Sequence, residues 1–137
     1  MKTSKNKITI IIEKTKTGFS AYSNDQAIFT TAKNIPELIG NTIEAANLYF
    51  EEDKIKISQE NINFLVDFKQ FFQYYKVLNA KFLAKKIGMN ESLLSQYVQG
   101  RKRPSDQQTN KILEGIHQIG RELSEINLIH KYYFALA

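Results

Sequence analysis

The chain has 137 residues, 42% hydrophobic and 12% aromatic, a composition that can bury a core and favours a folded protein over a disordered one. The absence of cysteine excludes disulfides and thiolate zinc sites. The net charge of +5 is one-sided: residues 1–75 carry nine Lys/Arg against nine Asp/Glu, and residues 76–137 carry ten against five, the footprint of a polyanion partner.

The first apolar run, Ile8-Thr9-Ile10-Ile11-Ile12, is too short for a signal-peptide core, and no stretch approaches transmembrane length. A soluble, cytoplasmic protein with no membrane partner is expected. The same run is β-branched and reads as a strand. A turn over Lys14–Gly18 follows, with Gly18 able to take positive φ. Phe19–Tyr22 and Ile28–Thr31 read as the second and third strands.

A helix starts at Asn34, which has the N-cap chemistry, with Pro36 in the first turn and Glu37 at capping-box spacing. Ile39, Ile43, Ala46 and Phe50 form its apolar stripe. Glu51-Glu52-Asp53 ends it. Ile62–Val66 reads as a fourth strand, giving the order β-β-β-α-β.

From residue 67 the pattern is helical. Asp67 and Gln70 have capping-box spacing and open a helix to about Tyr75. Asn79 caps the next helix, Asn90 the one after, and Ser105 with Gln108 opens a longer helix to about Leu123. Ile112, Ile116, Ile119 and Leu123 form a stripe on that helix, serving either the domain core or a dimer surface. Gly115 and Gly120 interrupt it, which implies close packing or a break. The tail from Glu125 to Ala137 is compatible with strand, helix or disorder.

Residues 79–105 form the most informative stretch. Leu83 and Ile87 face a core, Ala84 is small where two helices approach, Gly88 supplies a left-handed turn residue, and Met89 covers the turn. At about 100° per residue, Glu91, Ser92, Ser95, Gln96 and Gln99 share one arc of the next helix. Leu93, Leu94, Tyr97 and Val98 share the opposite arc. The pattern is that of a helix-turn-helix, which lays its second helix in the DNA major groove. Gln96 suits adenine, Glu91 suits cytosine, and the serines suit most base edges. Glu91, Ser92, Ser95, Gln96 and Gln99 are the expected base-reading residues. Lys81, Lys85, Arg101, Lys102, Arg103 and Ser105 are the expected phosphate-binding residues, Ser105 through the helix N-terminus it caps.

GMNESLLSQYVQGRKRPS is similar to the turn, recognition helix and following basic segment of XRE-type helix-turn-helix domains, and residues 67–124 resemble that family. By this resemblance Glu91, Ser92 and Gln96 correspond to base-reading positions. Residues 5–66, through ITIIIEKTKTGFSAYS and a capped helix ending in EAANLYFEE, resemble the N-terminal domain of HicB-type antitoxins, although residues 28–33 lack the Pro/Gly-containing segment usual there. The resemblance implies an α+β chain: a partial RNase H-like domain over residues 1–66 and an all-α DNA-binding domain over 67–137. It also implies an antitoxin that neutralises a small HicA-type ribonuclease toxin and represses its own operon at an inverted-repeat operator, as a homodimer or higher oligomer. The alternative is a stand-alone repressor whose first domain senses a ligand or oligomerises.

No enzyme, metal or cofactor is expected. A working RNase H-like site needs clustered carboxylates around metal. The first strand, taken as Ile8–Ile12, has no acid, Glu13 lies past its end, Asp25 is in a turn, and Asp67 reads as a cap. His117 and His130 stand apart, and there is no phosphate-binding glycine loop or nucleophile motif.

Overall fold

The structure is a computed structural model that describes residues 2, 3 and 7–126. It is mixed α/β and divides into two compact units, between Tyr75 and Lys76. The expected boundary lay between residues 66 and 67; residues 67–75 belong instead to the first unit.

In the first unit, β1 (Lys2–Thr3) pairs in parallel with β5 (Ile55–Lys56). These two-residue strands carry no periodicity and were not expected from the sequence. The main sheet has four strands: β2 (Ile8–Lys14), β3 (Phe19–Tyr22), β4 (Phe29–Ala32) and β6 (Ile62–Val66). Their spatial order is β4-β3-β2-β6, with β2–β3 and β3–β4 antiparallel and β2–β6 parallel. The parallel pair requires a crossover, which includes helix α1 (Ile35–Tyr49). The expected order of three strands, a helix and a strand is present, with β4 displaced by one residue from Ile28–Thr31.

Alternation along β2 sends Ile8, Ile10 and Ile12 to one face, where they meet Ala21, Ile28, Leu38, Ala46, Ile57 and Ile62. Full burial of a side chain such as Ile10 or Leu38 contributes about 1.5–3 kcal/mol. The buried line of α1 is Leu38, Thr42 and Ala46, whereas Ile39, Ile43 and Phe50 are only half-buried. The expected stripe was therefore rotated by about one residue. Thr42 can be buried because its hydroxyl donates to the Leu38 carbonyl at 2.7 Å. Asn34 Oδ1 accepts from the Glu37 N–H at 2.9 Å and starts the helix. Near its end, the Asn47 amide bonds both backbone groups of Ile57, accepting at 2.7 Å and donating at 2.9 Å.

Gly18 differs from expectation in its reason. Its φ is not left-handed; a Cβ there would collide with the Ala32 carbonyl oxygen, so close approach of the β4 backbone is what requires glycine.

Helix α2 (Phe68–Tyr74) is capped by Asp67, which accepts from the Gln70 N–H at 3.0 Å. The Gln70 side chain bonds Lys14, accepting from its N–H at 2.9 Å and donating to its carbonyl at 2.7 Å. In this way Gln70 extends the hydrogen bonding of β2 by one side-chain amide. The Lys14 ammonium lies 4.9 Å from the Phe19 ring centre and 5.5 Å from that of Tyr74. These contacts, and the packing of α2 against β2, place α2 in the first unit.

The second unit contains three helices among its described residues: α3 (Ala80–Ile87), α4 (Glu91–Val98) and α5 (Asp106–Ser124). Leu83, Ala84, Met89, Leu94, Tyr97 and Ile112 are buried in it. Gly115 of α5 faces α3 so closely that a Cβ would overlap Ile87 Cγ2 and lie 2.9 Å from Leu83 Cδ1, while Gly120 meets open space. The stripe on α5 splits: Ile112 is buried, Ile116 and Ile119 are half-buried, and Leu123 and Ile126 are exposed. Its first part is core and its last part is free surface. Glu125 follows α5 as a turn residue and Ile126 is again helical; the rest of the tail, with His130, lies outside the described residues. No helix among the described residues is long and apolar enough to cross a membrane.

Candidate nucleic-acid interface

Side-chain caps open all three helices of the second unit, and a glycine closes each of the first two. Asn79 Oδ1 accepts from the Phe82 N–H, Asn90 Oδ1 from Leu93 and Ser105 Oγ from Gln108, each at 3.2 Å. At the end of α3, Gly88 has φ +66°; its N–H donates to Lys85 at 3.3 Å, and the Met89 N–H donates to Ala84 at 2.9 Å. This is the Schellman arrangement, with buried Met89 and Ala84 at the positions where it makes its apolar contact. The same arrangement recurs after α4. Gly100 has φ +74°, its N–H donates to Tyr97 at 3.1 Å, and the Arg101 N–H donates to Gln96 at 2.9 Å. Sequence reasoning assigned the first of these turns and missed the second. The available signal was Gly100 directly after the last residue of the polar arc.

Helix α4 is divided as its sequence implies. Leu94 and Tyr97 are buried and Leu93 and Val98 half-buried; Glu91, Ser92, Gln96 and Gln99 are exposed and Ser95 is half-buried. All five expected base-reading residues line one shallow depression of about 430 Å³, and Arg101 lines it with them. Within it the Gln99 amide donates to Ser95 Oγ at 3.1 Å. Among the described residues the only ion pair is Lys86–Glu122, so Glu91 and Arg101 are both uncompensated. The face therefore presents a carboxylate, two amides, two hydroxyls and a guanidinium to solvent.

No family model, curated protein or solved structure matches this chain.

The expected phosphate-binding residues fall into two groups. Lys81 and Lys85 are exposed one turn apart on α3, with Lys85 Nζ 5.6 Å from the centre of the exposed Phe82 ring. Lys102 and Arg103 are exposed in the segment between α4 and α5. Ser105 uses its oxygen as the cap of α5, which leaves its hydroxyl proton for an anion. Lys86 is occupied by Glu122, at 2.9 and 3.1 Å. A second depression between α3 and α5 is lined by Lys86, Lys111, Glu114, His117 and Arg121, a cluster the sequence reading did not assemble.

In the first unit one strand boundary is corrected. Glu13 lies inside β2, which runs to Lys14 rather than ending at Ile12. Its carboxylate accepts from the Tyr22 hydroxyl at 3.3 Å. Burial, and then the Glu13 charge, push the Tyr22 hydroxyl above its ordinary pKa. Asp67 is the cap of α2. Among the described residues no three His, Asp or Glu side chains gather to hold a metal ion.

Proposed function

We propose that the chain is a sequence-selective DNA-binding regulator of the toxin–antitoxin kind. The observation that carries the DNA-binding part is the depression on α4, where Glu91, Ser92, Ser95, Gln96 and Gln99 are gathered beside exposed cations. Hydrogen-bonding groups on one rigid helix face match the patterned donors and acceptors of a major groove. Lys81, Lys85, Lys102, Arg103 and the N-terminus of α5 grip the flanking phosphates and set register. The α3–α4 pair is then a helix-turn-helix of the XRE type.

One such helix reads only a few base pairs, so two copies bind an inverted repeat with half-sites about one helical turn or a multiple apart. The exposed end of the α5 stripe, Leu123 and Ile126, is the apolar surface available for pairing copies. The first unit, with its β4-β3-β2-β6 sheet and α1, is the HicB-like, partial RNase H-like domain that binds a small HicA-type toxin. Exposed Phe29, Leu48 and Tyr49 on this unit support a protein-docking role.

Two experiments test this reading. Footprinting of the DNA upstream of the gene should give two protected half-sites about ten base pairs apart, or a multiple of that. Expression of a small neighbouring reading frame should arrest growth, and co-expression of this chain should restore it. Protection with no such toxin leaves a stand-alone repressor; rescue without protection removes the DNA role.

A further inference from the structure

We propose that Arg101 reads a guanine base instead of gripping a phosphate, so that the half-site bound by α4 contains an obligatory G·C pair. The proposal rests on the DNA-binding reading of α4 and names the sequence class that the face selects.

The three consecutive cations Arg101, Lys102 and Arg103 are equivalent in the sequence and unequal in the structure. Arg101 alone of the three lines the depression with the polar residues of α4. Its backbone is fixed there: Gly100 turns the chain at φ +74°, and the Arg101 N–H is bonded to Gln96 at 2.9 Å. The guanidinium thus starts from a position anchored to the middle of the polar face.

Electrostatics then separate the two candidate ligands. The same depression holds the exposed Glu91 carboxylate, which has no ion-pair partner among the described residues. A phosphate entering it would meet a like charge, whereas a base edge is neutral and patterned. Guanine offers O6 and N7 to the two-pronged guanidinium, and its paired cytosine offers the N4 amino group to a carboxylate. A face with an acid at the start of the helix and an arginine after its end suits G·C-containing DNA better than A·T runs. Lys102 and Arg103, outside the depression, keep the phosphate role.

The test is selection from a random duplex pool by the full chain and by Arg101→Lys, followed by salt titration on the enriched duplex. The lysine variant keeps the charge and loses the fork. Wild type should enrich duplexes with an invariant G·C pair. Arg101→Lys should lower the preference for that one pair about tenfold or more with an unchanged salt slope. Thermal unfolding of the variant should match wild type, because the side chain is exposed. Equal preference at every position in both proteins would overturn the proposal and make Arg101 a phosphate contact. If wild type enriches no sequence, the DNA-binding reading itself fails, a result distinct from loss of preference at one pair.

Discussion

The backbone N–H of Arg101 donates to the carbonyl oxygen of Gln96 at 2.9 Å, which ties the segment after α4 to the centre of that helix's polar face. The bond forms only because Gly100 adopts φ +74°. A residue with a Cβ costs about 1–2 kcal/mol in that conformation. Gly100→Ala should therefore lower the stability of the second unit by about that amount and weaken DNA binding beyond the stability loss. Chemical unfolding and binding isotherms at a temperature where the variant is folded check both parts.

The two glycines of α5 should respond in opposite directions to alanine. At Gly115 a methyl group overlaps Ile87 and Leu83, and overpacking of this kind costs about 1–3 kcal/mol. At Gly120 the methyl meets open space, and helix propensity contributes about 0.5–1 kcal/mol of stability. Thermal unfolding of the two single variants is the check. Ile87→Ala added to Gly115→Ala should recover part of the overpacking loss, because it removes the overlapping Cγ2.

Gln70→Ala should destabilise the first unit by about 1–3 kcal/mol, because both backbone groups of Lys14 lose their partner in a part-buried site. Gln70→Glu keeps the acceptor for the Lys14 N–H and loses the donor to its carbonyl, so it should be intermediate or worse. Urea midpoints of the full chain and both variants measure this, with the transition of the second unit as internal control.

The Tyr22 hydroxyl titrates above its ordinary value, through burial first and the Glu13 carboxylate second. A folded-state pKa above the unfolded one means that the fold favours the protonated phenol. Its contribution is complete below about pH 10 and is lost as pH rises through the elevated folded value. Unfolding free energy should fall above about pH 10, and Tyr22→Phe should reduce that fall. Urea unfolding of both proteins at about pH 8 and about pH 11 makes the comparison. Equal losses in the two proteins would remove Tyr22 as a source.

Periodicity and capping made most of this fold legible. Asn34, Asp67, Asn79, Asn90 and Ser105 each cap the helix they were expected to open, because a short polar side chain before an apolar repeat has few other uses. The polar arc of α4 was readable for the same reason. Strands β1 and β5 were not readable, since two residues cannot display a period of two. The boundary between the units was not legible because α2 packs against β2, where Gln70 bonds Lys14, 56 positions away in the chain. Local spacing instead pointed Gln70 back to its own cap. The buried line of α1 was misread because Thr42 looks polar until its hydroxyl is matched to Leu38. That Arg101 lines the depression on α4 while Lys102 and Arg103 do not was not legible, because three consecutive cations look alike in a sequence.

The most direct measurement is the affinity of the full chain for the duplex upstream of its gene, relative to a shuffled duplex at the same salt, for wild type and Gln96→Ala. Wild type should prefer the upstream duplex by about 10³-fold or more. Gln96→Ala should lower that preference about tenfold while leaving binding to the shuffled duplex unchanged. Equal affinity of wild type for both duplexes would contradict sequence reading by α4.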